Sequence, residues 1–170
     1  MIECWRGFRQ VSTMEQSSIA PIVVPQADDI AKIRAVIEVV AEGESRTASV
    51  AKRLAISERH AAYRLHAARI LQALSLEEGR WRIEAAGQEL LNRPHDDPTE
   101  RDWWRRAIGT NRIISTLAPQ LLGTKAPSTE DIADRIVKYS GLAPATAERR
   151  AQTLVRWRRD LCQVQRELFA

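Results

Sequence analysis

The chain has 170 residues, 44% of them apolar and 28% charged, which suits a folded protein of one domain or two small ones and excludes a disordered chain. Lys and Arg exceed Asp and Glu by 26 to 22, a net charge of only +4, so bulk charge does not argue for nucleic acid and its distribution has to. No apolar run approaches the roughly 20 residues that span a bilayer, and the two cysteines, Cys4 and Cys162, lack metal-ligand spacing.

Residues 1–13 have no continuous apolar stretch of the signal-peptide kind, and Met14 offers an alternative start. The cysteines read as free thiols in a reducing cytoplasm. Ile19-Ala-Pro-Ile-Val-Val-Pro25 is short, apolar and fenced by prolines, so it is expected to be extended. Two roles stay open for it: a strap along the chain's own core, or an arm exchanged between subunits. Residues 1–26 form an N-terminal arm.

A helix is expected from Ala27, with Asp28 and Asp29 at its positive dipole end. Ile30, Ile33, Val36 or Ile37, and Val40 give its apolar face, and Gly43 its stop. A short helix follows over Thr47–Ala55. Ser57 and Glu58 resemble an N-cap and first turn, opening a third helix from Ser57 to Leu74. Leu74 and Leu76, then Trp81 and Ile83, alternate with polar residues around Glu78-Gly79, which is hairpin chemistry. Another helix over Ala85–Asn92 closes the unit.

Three helices followed by a hairpin is the element order of a winged helix. The stretch Ala27–Arg93 resembles bacterial winged helix-turn-helix domains of small transcription regulators, on element order and spacing. The resemblance implies that helix Ser57–Leu74 enters the major groove and that the hairpin tip lies by the DNA backbone. On that helix Arg59, His60, Tyr63 and Ala67 fall away from the core face of Ala61, Ala62, Leu65 and Ala68, with Arg64, His66 and Arg69 on the flanks. Glu77 and Glu78 suit a phosphate badly, which leaves Arg80 and Arg82 as the wing's cations.

Residues 94–100 read as a linker, with two prolines near an acidic pair. His95, Asp96 and Asp97 are adjacent, and three neighbours do not easily face one ion, so no metal is expected. A helix begins after Pro98. In the cluster Arg101-Asp-Trp-Trp-Arg-Arg106, packing of the tryptophans with snorkelling arginines is favoured over stacking on bases. Thr110 or Asn111 caps a further helix, which carries Ile113, Ile114, Leu117 and Leu121 inward and ends at Gly123.

Residues 101–170 form a second unit. Ser128 caps a helix with acids in its first turn, Ile132, Ile136 and Val137 form its apolar face, and Tyr139-Ser-Gly141 ends it. Pro144 then opens a long helix to Phe169. One face of that helix is apolar: Ala147, Ala151, Leu154, Trp157, Leu161, Val164 and Leu168. The opposite stripe, Arg149, Gln152, Arg156, Arg159, Gln163 and Arg166, contains donors and no carboxylate. Such a helix shows a cationic, donor-rich edge to something acidic.

The run Thr146-x-x-Arg149-Arg150-x-x-Thr153-Leu154-x-x-Trp157, following a helix that ends in Gly141, is similar to recognition-helix segments of helix-turn-helix modules attached to bacterial restriction and phage-defence proteins. The likeness covers Ser128–Leu161 and implies a DNA-associated module. The expected fold class is therefore mainly α, with two tandem helix-turn-helix units, the first winged, and a long C-terminal helix.

Enzyme chemistry finds little support. No glycine-rich phosphate loop or Gly-x-Ser-x-Gly motif occurs, and His60, His66 and His95 lack a nucleophile or metal partner. The expected protein is a cytoplasmic, nucleoid-associated double-stranded DNA binder without catalytic residues, cofactor or metal. Its expected DNA contacts are Arg59, His60, Tyr63, Arg64, Arg80, Arg82, Thr146, Arg149, Arg150, Arg156 and Arg159. The apolar stripe from Leu161 to Phe169 suggests pairing as a homodimer. The alternative is a dimerisation or adaptor module that binds another protein without DNA.

Overall fold

A computed structural model describes residues 19–27 and 29–162. Among these the protein is mainly helical, with eight α-helices and one two-stranded antiparallel sheet. Met14, Cys4, Asp28, Gln163, Val164, Arg166, Leu168 and Phe169, named above, lie outside the described residues, and with them the expected end of the last helix.

Local sequence accounts for most boundaries. Helix α1 (Ile30–Ala41) starts where the Asp29 carboxylate accepts the Lys32 amide at 3.1 Å. It buries Ile33, Val36, Ile37 and Val40 and is followed by Gly43 at φ +109°. Helix α2 (Thr47–Arg53) leads through a turn to α3 (Glu58–Ile70), which Ser57 caps by accepting the His60 amide. The third helix stops short of the expected Leu74. Gln72 takes φ +61°, and Leu74 instead pairs across the hairpin with Ile83.

Strands β1 (Leu74–Glu77) and β2 (Arg80–Ile83) are joined by Glu78 and Gly79, both with positive φ (49° and 73°), the requirement of a type I′ turn. The register sets Leu76 opposite Trp81, so Leu74, Leu76, Trp81 and Ile83 share one face. The hairpin is tied to the start of α2. The Trp81 amide donates to the Ser45 carbonyl at 2.7 Å and its indole N–H to Thr47 Oγ1 at 3.0 Å. Helix α4 (Ala85–Leu91) brings Gly87 against the Ala73 carbonyl, where a Cβ would collide with backbone.

Helix α5 (Pro98–Gly109) is capped by Asp97, and α6 (Arg112–Leu117) by the buried Asn111 side chain, which accepts two amides. Helix α6 is shorter than expected, and Leu121 reaches the core from the turn beyond it. Helix α7 (Thr129–Ser140) opens with a reciprocal Ser128–Asp131 capping box and ends at Gly141 in the left-handed conformation. After a three-residue joint, α8 (Pro144–Cys162) packs back along α7.

The core is continuous from α1 to α8. Trp103 and Trp104 are both buried and meet edge to face at 4.9 Å, so they pack rather than present themselves. Polar contacts tie elements distant in the chain: α8 to the strap, α5 to α8, and the cap of α6 to α3. The Trp157 indole donates to the Ala27 carbonyl at 2.9 Å, Arg105 to the Leu161 carbonyl at 2.6 Å, and Asn111 to the Ile70 carbonyl at 2.6 Å. Arg34 on α1 meets Glu100 on α5 at 3.1 Å with both side chains buried. Residues 19–27, which contain a short 3-10 turn at Pro21–Val23, run along the chain's own core between α3 and α8.

Candidate nucleic-acid interface

Helix α8 divides cleanly into two faces. Ala147, Ala151, Leu154 and Trp157 are fully buried, and Leu161 nearly so. On the other side Arg149, Gln152, Arg156 and Arg159 are exposed and line a shallow groove of about 370 Å³. The 3.6-residue period separates the faces, and burial of the apolar one fixes which way the arginines point.

The groove's electrostatics are not those of an acid-free stripe. Asp160 sits at its edge, 3.6 Å from Arg159 and 4.0 Å from Arg156. Four residues after Arg156, it shares that side of the helix. Arg156 also acts on Asp29. Burial pushes the Asp29 carboxyl up, but hydrogen bonds from Lys32 and the charges of Lys32 and Arg156 bring it below its ordinary range. Arg149 contacts Thr146 Oγ1 at a long 3.5 Å and carries no ion pair among the described residues.

Arg150 is drawn inward. Its guanidinium donates to the carbonyls of Pro21 and Val24, the latter at 3.1 Å, so it fastens the strap onto α8. Burial lowers its pKa, the nearby Tyr63 hydroxyl raises it, and Arg149 lowers it again. This residue looks outward in sequence because it adjoins Arg149, but one step along a helix turns the side chain by about 100°.

On α3 the exposed positions lie near the N-terminal end. The Arg59 Nε donates to the Tyr63 hydroxyl at 2.6 Å, with the guanidinium 5.4 Å from the ring centre. The exposed His60 ring shares a 2.9 Å hydrogen bond with Ser57 Oγ. Arg64 is half-buried and lines a small cleft with Lys32, His60 and Tyr63. Ala67, expected to face away from the core, is 1% exposed. The 3-10 turn of the strap packs on α3, so the outer face of this helix is open only along part of its length.

The hairpin tip contributes little positive field. Arg82 pairs with Glu77 at 3.1 Å, and Arg80 reaches Ser45 Oγ at 3.4 Å. Glu78 is exposed at the turn. Two cations and two carboxylates therefore stand together there.

No family model, curated protein or solved structure matches this chain. The interface rests on the residues alone. Lys32, absent from the expected contacts, lines the same small cleft as His60 and Arg64 from its place on α1. A lysine in a first helical turn carries no signal of that proximity. The Asp160 partnership, by contrast, was visible as an i, i+4 spacing.

His95, Asp96 and Glu100 hold potential ligand atoms within 4.8 Å of one another. Asp97 is not among them, because its carboxylate caps α5. Glu100 is already engaged by Arg34, by the Trp104 indole at 3.2 Å and by the Asp96 amide at 2.7 Å. These contacts neutralise the carboxylate a cation would need. No described helix is long and apolar enough to cross a membrane.

Proposed function

We propose that this chain is a double-stranded DNA-binding module that reads the duplex mainly through α8. The carrying observation is the row Arg149, Gln152, Arg156 and Arg159, exposed along one groove of a helix whose opposite face is wholly buried. Guanidinium groups suit phosphates and guanine edges through forked hydrogen bonds. In this reading α7, the joint 141–143 and α8 act as a helix-turn-helix, with Thr146 and Arg149 near its leading end. Helices α1–α3 with the hairpin form a winged unit that adds Arg59, His60 and Arg64. Arg150 positions the strap rather than the DNA, and the hairpin's paired charges favour α8 over the wing. The sequence likeness described above suits a transcription regulator or the recognition module of a defence system.

Fluorescence anisotropy with duplex DNA across a salt series tests this. The pair Arg149→Ala and Arg156→Ala removes two phosphate-neutralising charges. The slope of log affinity against log salt should fall by about 2, with affinity at low salt reduced about tenfold or more. Unchanged affinity in a folded double variant rejects α8 as the reading helix.

Homodimer pairing through the C-terminal helix loses Leu161, which is buried in its own fold. Pairing would then fall to the segment after Cys162, outside the described residues. Light scattering on a chain truncated after Cys162 tests it, with a dimer becoming a monomer as the expected result. An adaptor that binds only protein would keep its partner and show no salt-dependent affinity for duplex.

A further inference from the structure

A second cationic feature lies away from α8. Between the C-terminal end of α3, the strap and the start of α6 is a cleft of about 430 Å³. Its apolar wall is Val23, Ile70 and Ile113, and its polar rim includes Arg69, Arg112 and Gln72. No carboxylate lines it. Arg69 and Arg112 are both exposed, and their guanidinium groups make no ion pair or hydrogen bond among the described residues. Several other surface arginines do not offer this freedom: Arg53, Arg82, Arg93 and Arg106 each hold a glutamate. The floor is fixed, because buried Asn111 donates to the Ile70 carbonyl at 2.6 Å while capping α6.

We propose that this cleft binds a small organic anion with an apolar body. Two unopposed guanidinium groups at the rim offer charge-assisted, forked hydrogen bonds to a carboxylate, sulfonate or phosphate. The apolar wall accepts the rest of the molecule, and the volume falls within the range of small-ligand sites. An occupant would touch the strap, α3 and α6 at once, so it would stabilise the junction of the two halves. The site does not depend on DNA binding by α8.

The probe is 8-anilinonaphthalene-1-sulfonate, an aromatic body carrying one anionic group, followed by fluorescence titration. Saturable one-site binding is expected. Arg69→Ala with Arg112→Ala should weaken it about tenfold or more, at an unchanged helical circular dichroism signal and melting temperature. Arg149→Ala with Arg156→Ala should leave it unaltered. The uncharged N-phenyl-1-naphthylamine should bind at least tenfold more weakly, as about 1.4 kcal/mol of lost ionic contact requires. The proposal is overturned if the parent shows no saturable binding, if the cleft variant binds as the parent does, or if the uncharged probe binds equally well. Displacement of the probe by duplex DNA in the α8 variant would assign these arginines to a nucleic-acid backbone instead and would likewise overturn it.

Discussion

Replacing Glu100 by Ala should be among the most damaging single changes in this protein. Glu100 is 5% exposed, forms an ion pair with Arg34 Nη1 at 3.1 Å, and accepts hydrogen bonds from the Trp104 indole at 3.2 Å and the Asp96 amide at 2.7 Å. Arg34 is equally buried and otherwise holds Glu38 at 2.8 Å and the Arg93 carbonyl at 3.0 Å. Glu100→Ala suits a helix by propensity, so any loss comes from the site itself. It strands a buried guanidinium against one half-exposed carboxylate, and removing one partner of such a pair costs about 3–5 kcal/mol. At about 2–4 °C per kcal/mol for a chain of this size, the melting temperature should fall by about 6–20 °C. Arg34→Met with Glu100→Met removes both charges together and should recover most of that loss. Scanning calorimetry reads both variants. Because the pair joins α1 to α5, the parent and the single variant should each show one transition. A drop below about 2 °C in Glu100→Ala would refute the claim that this contact holds the halves together.

Other consequences follow from single contacts. Gly87→Ala forces a Cβ into the Ala73 carbonyl and should cost about 1–3 kcal/mol by urea denaturation; equal midpoints would show that α4 shifts freely. Arg150→Met should free the strap and lose about 1–2 kcal/mol, with faster proteolysis within residues 19–27, whereas exposed Arg149→Ala should stay within about 0.5 kcal/mol of the parent. Burial first, then the Arg69 charge, hold the His66 imidazole below its ordinary value of 6.5. The unfolded chain therefore takes up that proton at a higher pH than the folded one. Stability should be full above about pH 6.5 and decline as the pH falls through that value. His66→Gln should flatten the decline in melting temperature measured from pH 7 to pH 5, and an identical slope would remove His66 as its source.

What was legible in the sequence was local. Ser57, Ser128 and Asp29 announce helix starts because a side-chain oxygen a few atoms from the backbone can reach only its own first turn. Glu78-Gly79 announces a hairpin because few residues accept two successive positive φ angles. The two faces of α8 follow from a period of 3.6. Tertiary structure decided where the charges went. Arg149 and Arg150 are neighbours in sequence, yet one faces the groove and the other fastens the strap. Ala67 is buried on a helix against which a segment some forty residues earlier packs. Glu100 reads as a first-turn acid of α5, and it becomes the partner of Arg34 only when α1 arrives. Leu161 reads as the start of a partner-binding stripe, and it is consumed within its own fold. An amphipathic period tells which side of a helix is apolar. What covers that side, and which arginines are left facing solvent, depends on contacts between residues far apart in the chain.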